Sequence, residues 1–286
     1  MLNAARTALV ETCAPDAHAQ RIGRAAITAL YDELALAPKP GLVSFVDAGS
    51  HTDMDAATFM RSLFALRHCF PRMAMLGAAQ APFAALEALG IAAEVRMLAA
   101  TGGINTHRGA VFTLGLLSAA AGLGQGRFNA TRLREVLMST WGVALDARRC
   151  GTPASNGRRA AHAHGLRSAG DEAALGFPVV FEHAVPALMR ARRQGLDDQR
   201  ARLQTLFEII AVLDDTNLVH RGGLAGLRFA QAQAQAFLDA GGAARPDALV
   251  HAQAIHQAFV ARRLSPGGAA DVLAAAGFIE RVCARA

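Results

Sequence analysis

The spacing of the apolar residues constrains this chain more than any other feature. In "AHAQRIGRAAITALYDELAL" (residues 17–36), Ile22, Ala26, Leu30 and Leu34 recur every four positions. Residues four apart share one face of a helix, so these side chains form a single buried stripe. Asp16 precedes the stripe as a candidate N-cap. Pro38 ends it, because a residue before proline avoids the α region. The same period returns in "DMDAATFMRSLFALRHCF", which aligns Phe59, Leu63, Leu66 and Phe70. It continues through "GIAAEVRMLAA", which stops at Thr101-Gly102-Gly103. An apolar helix from about Ala110 follows. Further helices are expected near residues 131–145, 179–193, 198–219, 224–238, 246–263 and 269–284. No segment alternates with the period of two that marks a half-buried strand. These readings predict an all-α fold: a single compact domain over residues 1–286, of roughly ten helices.

Composition supports that prediction and narrows the function. Hydrophobic residues make up 52% and charged residues 18%, which suits a well-buried soluble protein. Net charge is +6, so a polyanionic ligand is favoured. There is no Lys/Arg block, zinc-finger spacing or aromatic-basic interleaving, and no nucleic-acid partner is expected. The most apolar stretch, "AVFTLGLLSAAAGLG", is short for a membrane span and reads as a buried helix. Cys13, Cys69, Cys150 and Cys283 form no CxxC pair, and no signal peptide is apparent, so a reducing cytoplasm is expected.

Chemistry gathers at four helix junctions. The first begins at Lys39, the only lysine in a chain with 29 Lys+Arg residues, between Pro38 and Pro40. Then "HTDMD" places His51, Asp53 and Asp55 at alternate positions. If extended, all three point the same way, ready to hold Mg²⁺ or move a proton; otherwise an aspartate caps the next helix. The second, "TGGINTHRGA", runs through Asn105, Thr106, His107 and Arg108 into the apolar helix. It suits phosphate binding at a helix N-terminus, or plain capping. The third, "LDDTNLVHRGG", aligns Asp214, Asn217 and Arg221 if one helix runs through it, with Asp215 facing elsewhere. A site lining and an internal ion-pair network both fit. The fourth, "RRLSPGGAAD", reads Ser265 as N-cap and Pro266 as first helical residue. Gly267 and Gly268 allow close approach to the backbone, and Asp271 lies about one turn in. "CGTPASNGRR" reads as a long loop.

"PKPGLVSFVDAGSHTDM", "TGGINTHRGA", "DDTNLVHRGG" and "LSPGGAADVLA", in this order, resemble the triphosphoribosyl-dephospho-CoA synthase family. "FVDAGSHTDMDAATFMRSLFALRHCF" and "ARRLSPGG" are more similar to its malonate decarboxylase branch than to its citrate lyase branch. The resemblance implies an all-helical enzyme that joins ATP to 3'-dephospho-CoA and releases adenine. Its product would be the prosthetic-group precursor of an acyl carrier protein. Mg²⁺ dependence is expected from the triphosphate, with Asp53, Asp55, Asp214 and Asp215 as candidate ligands. Asp53 or Asp214 would stabilise the cationic ribose, and His51 or His107 would move protons. Lys39, Arg108 and Arg221 would serve phosphates, with Asn105, Thr106, Asn217, Ser265, Gly267, Gly268 and Asp271 completing the substrate site. A homodimer is compatible with this reading. The chain departs from the family at Arg108, where lysine is common, at Ala269, where serine is usual, and at Asn156-Gly157, where His-Gly is frequent.

Overall fold

The computed structural model describes residues 14–124, 129–150 and 156–283. It is all-α, and the described residues contain no strand. The helices are α1 (Ala17–Ala35), α2 (Ala56–Leu66), α3 (Cys69–Ala78), α4 (Phe83–Ala100) and α5 (Arg108–Leu123), followed by α6 (Ala130–Cys150), α7 (Asn156–His164) and α8 (Ala169–Ala174). A π-helical turn at Val179–Ala184 leads into α9 (Val185–Arg193), and α10 (Asp198–Val212) and α11 (Thr216–Asp239) come next. A 3₁₀ turn at Gly242–Ala244, α12 (Ala248–Ala261) and α13 (Gly267–Cys283) complete the order. No helix among the described residues is long and apolar enough to cross a membrane.

Two helices organise the core. Helix α5 is buried at nearly every position from Ala110 to Gly122 and packs on α3, α4, α6, α1 and α13. The α3–α5 crossing is close because Gly77 and Gly122 each face the backbone of the opposite helix. A Cβ on either would lie within 2.0 Å of a carbonyl oxygen there. Helix α13 packs on α1, α5 and α10 with Leu273, Phe278 and Ile279 buried. The N-terminal ends of α5 and α13 belong to the second and fourth junctions.

Three expected elements are divided, each for a local reason. The helix expected to run from Asp53 to Phe70 breaks at Arg67–His68. Pro71 lacks the N–H that would bond to Arg67, and its ring opposes that carbonyl. Pro186 accompanies the change from π to α geometry inside the expected 179–193 helix. The expected 198–219 helix ends at Val212, because Leu213 is extended and Asp215 starts a new helix as its N-cap. Asp214 therefore does not share a helix face with Asn217 and Arg221, which corrects that alignment. The "CGTPASNGRR" loop lies partly outside the described residues, and α7 already begins at Asn156.

Candidate active site

The first junction is a loop turned back on itself. Thr52 and Asp53 sit in a bend, so His51, Asp53 and Asp55 do not line up on one extended face. Asp55 instead caps α2, accepting from the Thr58 backbone N–H and hydroxyl at 2.8 Å each. These bonds hold its carboxyl below the usual range. Asp53 keeps an exposed carboxylate, and its Oδ1 lies 3.5 Å from His51 Nδ1.

His51 joins three of the four junctions. Its Nε2 lies 2.9 Å from Ser265 Oγ, 214 residues along the chain, and its Nδ1 accepts from Arg221 Nη2 at 3.0 Å. Arg221 also donates to the carbonyls of Ser50 and Arg263. Burial and the Arg221 guanidinium lower the His51 pKa, with Asp53 opposing them, so the ring is neutral near pH 7. Glycines let these segments meet. A Cβ on Gly41 would lie 2.0 Å from the Leu264 carbonyl oxygen, and one on Gly222 would lie 2.6 Å from the Leu264 side chain.

Ser265 is therefore not the cap of α13. That function falls to Asp215, which is 2% exposed. Its carboxylate accepts from Ala269 N–H at 2.9 Å and from Asn217 N–H at 2.9 Å, tying together the starts of α13 and α11. Burial raises its pKa, and the backbone donors oppose that rise. Asp271 acts in a matching way from within the first turns of α13. It accepts from Ala110 N–H, at the start of α5, and a Cβ on Gly109 would meet its Oδ2 at 2.0 Å. Burial, with Glu33 and Asp215 nearby, pushes the Asp271 carboxyl well above its ordinary value. Three helix N-termini thus converge, each presenting the positive end of its dipole.

The second junction meets the others through Asp271, but its side chains divide. His107 is 3% exposed, and its Nδ1 lies 2.7 Å from Ser62 Oγ and 3.2 Å from Thr106 Oγ1. Its Nε2 is buried with no partner, and burial, aided by Lys39, lowers its pKa to about 3. Asn105 accepts from Arg108 N–H, and the Arg108 side chain pairs with Glu94 at 2.5 Å. Gly102 and Gly103 have positive φ and open space where a Cβ would be.

Lys39 sits elsewhere than a phosphate contact requires. It is 1% exposed, and its Nζ donates to the Glu33 carbonyl at 2.6 Å and to Glu33 Oε1 at 2.5 Å. Its own carbonyl accepts from His256 Nδ1 at 2.8 Å, and His256 Nε2 lies 3.4 Å from Asp47. Burial lowers the Lys39 pKa, against the pull of Glu33. Sequence reasoning overlooked Glu33. The signal was present: Glu33 follows Ala26, Ala29 and Leu30 on the buried stripe of α1, where a carboxylate needs a cation.

Asp214 accepts from Arg167 N–H at 3.1 Å. Among the described residues, no three His, Cys, Asp or Glu side chains are gathered to hold a metal ion. Asp53, Asp55, Asp214 and Asp215 therefore do not form one cation site. Asn217 and Gly267 stay close, with the Asn217 amide 2.9 Å from the position of a Gly267 Cβ. Gly268 faces the Asp215 carboxyl in the same way at 3.1 Å.

Fold and site together define an all-helical protein with polar groups and an arginine gathered where helices begin, an arrangement suited to an anionic substrate. The family model for CitG, ATP:dephospho-CoA triphosphoribosyl transferase, matches residues 19–286, and the chain belongs to this family of enzymes. It is 39% identical over 268 residues to a protein of Acinetobacter calcoaceticus named "Probable 2-(5''-triphosphoribosyl)-3'-dephosphocoenzyme-A synthase", covering 93% of this chain and 92% of the relative. It is 42% identical over 257 residues to the "2-(5''-triphosphoribosyl)-3'-dephosphocoenzyme-A synthase" of Pectobacterium atrosepticum, covering 86% of this chain and 84% of the relative. No solved structure matches the chain.

Proposed function

We propose that this enzyme transfers the triphosphoribosyl unit of ATP to the 2'-hydroxyl of 3'-dephospho-CoA and releases adenine. Membership of the family over residues 19–286 is the observation that carries this reading. The product, 2'-(5''-triphosphoribosyl)-3'-dephospho-CoA, would pass towards an acyl carrier protein. The similarity around "FVDAGSHTDMDAATF" favours the carrier of malonate decarboxylase over that of citrate lyase. A cytoplasmic location fits both substrates.

The residues at the junction suit each demand of the reaction. A new C–O bond forms at the anomeric carbon as the bond to adenine breaks, through an oxocarbenium-like state. Asp53, exposed beside His51, would stabilise that cation. His51, neutral near pH 7, is the base that takes the hydroxyl proton. Arg221 has no carboxylate within ion-pair distance among the described residues, and its guanidinium suits the triphosphate. The carboxylates do not fit a protein-held magnesium cage. Magnesium enters as the counter-ion of the triphosphate, whose oxygens and water supply most of its ligands.

The test is adenine release from ATP with and without dephospho-CoA. The transferase releases adenine only when dephospho-CoA is present, in equal amount to the new product. Release at the same rate without it would make the protein a hydrolase. The branch is read from gene deletion: loss of malonate-dependent growth with citrate-dependent growth intact supports the proposed carrier.

A further inference from the structure

The bonds around His51 fix more than its position. Arginine is an obligate donor, so the Nδ1 that meets Arg221 Nη2 at 3.0 Å must be the acceptor. A neutral imidazole has one protonated nitrogen. Nε2 therefore carries the hydrogen and donates to Ser265 Oγ at 2.9 Å. In that tautomer Nε2 has no lone pair for a proton arriving from Ser265. Nδ1 is occupied by Arg221, although Asp53 Oδ1 waits 3.5 Å away. The ring has its acid-base partners in place but its proton on the wrong nitrogen.

We propose that Arg221 is a substrate-operated gate on this histidine, which a bound polyphosphate opens by drawing the guanidinium away from Nδ1. The inference rests on the proposed reading of the same site. A bidentate arginine–phosphate contact makes two parallel bonds between opposite charges, where the neutral ring offers a single uncharged acceptor. Arg221 makes its other side-chain bonds to the Ser50 and Arg263 carbonyls, on segments flanking the site. Once Nδ1 is released, the ring exchanges its Nε2 proton through water for one on Nδ1, with no net change in charge. Nδ1–H then donates to Asp53, and Nε2 accepts from the Ser265 hydroxyl. Ser265 becomes a catalytic relay: it receives the proton of the acceptor 2'-hydroxyl and passes its own to Nε2. The new C–O bond forms, the C–N bond to adenine breaks, and the proton held on His51 balances the one adenine gains from solvent. Arg221 is a positioning residue in this scheme. It withholds the base until a triphosphate is bound.

The experiment uses the full chain labelled with ¹⁵N-histidine, with inorganic tripolyphosphate as probe. The His51 ring signals are assigned from a His51→Gln variant. Without probe, His51 should show a protonated Nε2 and a bare Nδ1. With saturating tripolyphosphate the two signals should exchange character, and Arg221→Ala should show the exchanged pattern without probe. Ser265→Ala should lower kcat by about 10²-fold or more with little change in the KM for ATP. An unchanged tautomer in saturating tripolyphosphate, or no binding of tripolyphosphate, overturns the gate. So does Arg221→Ala with the wild-type pattern. The adenine assay separates this from the proposed function. Acceptor-dependent adenine release without a tautomer exchange defeats the gate alone. A tautomer exchange without adenine release defeats the transferase reading alone.

Discussion

Lys39 and Arg221 are two cations at the junctions, and both carry charges suited to a phosphate. Their surroundings are opposite. Lys39 lies under the first loop, 1% exposed, with the Glu33 carboxylate against its ammonium. Arg221 is exposed, and its side-chain bonds go to two carbonyls and a neutral imidazole. A buried cation with a buried counter-ion holds the fold together. An exposed cation bonded only to neutral acceptors remains available to an anion. The rarity of lysine in the sequence singles out the cation that the fold buries.

The largest effect tests the structural member. Lys39→Ala leaves Glu33 buried without its cation, and breaking such a pair costs about 3–5 kcal/mol. For a chain of this size that lowers Tm by on the order of 10 °C. Replacing both partners, as Glu33→Gln with Lys39→Met, should recover much of the loss, because no charge remains buried. Thermal melts of the three variants check this. A Lys39→Ala melt within about 2 °C of wild type, together with a hundredfold loss in kcat/KM, would reverse the comparison.

Asp215 comes next. It caps α11 and α13 together, and each missing cap costs about 0.5–2 kcal/mol, so Asp215→Ala should destabilise by roughly 1–4 kcal/mol. Amide exchange should quicken at Asn217 and Ala269 before it does in the buried middle of α5. Uniform exchange across the three helices would show that the shared carboxyl does not tie the two starts together.

Arg221→Ala tests the exposed member, for which a phosphate role is proposed. Removing a charge-assisted hydrogen bond to the substrate costs about 1.5–3 kcal/mol, which is roughly tenfold to hundredfold in kcat/KM. Tm should hold, since no carboxylate is left unpaired. A fall in Tm as large as that of Lys39→Ala would place Arg221 with the structural pair.

How much of this was legible in the sequence follows from what is local. Helix stripes, the Asp16 cap and the stop before Pro38 depend on neighbours within a few residues, and all appear. The break at Arg67–His68 was equally local, since Pro71 announces it. The four motifs were visible as departures from bland helices. Their pairings were not. His51 meets Ser265 across 214 residues, and Asp215 meets Ala269 across 54. No periodicity encodes such contacts. Capping also hid among the candidates: Asp55 and Asp215 have the residue type of a metal ligand, yet backbone N–H groups bond to Asp55 Oδ1 and to both Asp215 oxygens.

The smallest effect sharpens the comparison with an intermediate case. Arg108 is exposed like Arg221 but paired like Lys39, with Glu94 at 2.5 Å. A surface pair of this kind contributes no more than about 1 kcal/mol to stability, because water screens both charges. Arg108→Ala should therefore leave Tm almost unchanged. Its effect on turnover should also fall below that of Arg221→Ala, since a phosphate must displace Glu94 before it gains the guanidinium. Glu94→Gln removes that competitor while keeping the side chain's shape. If Arg108 touches the substrate, Glu94→Gln lowers the KM for ATP, and the gain vanishes when Arg108→Ala is added. Steady-state kinetics on the two single variants and the double variant measure this coupling directly. Equal KM values in all three would leave Arg108 as a surface ion pair, and availability to the triphosphate at these junctions would then rest with Arg221.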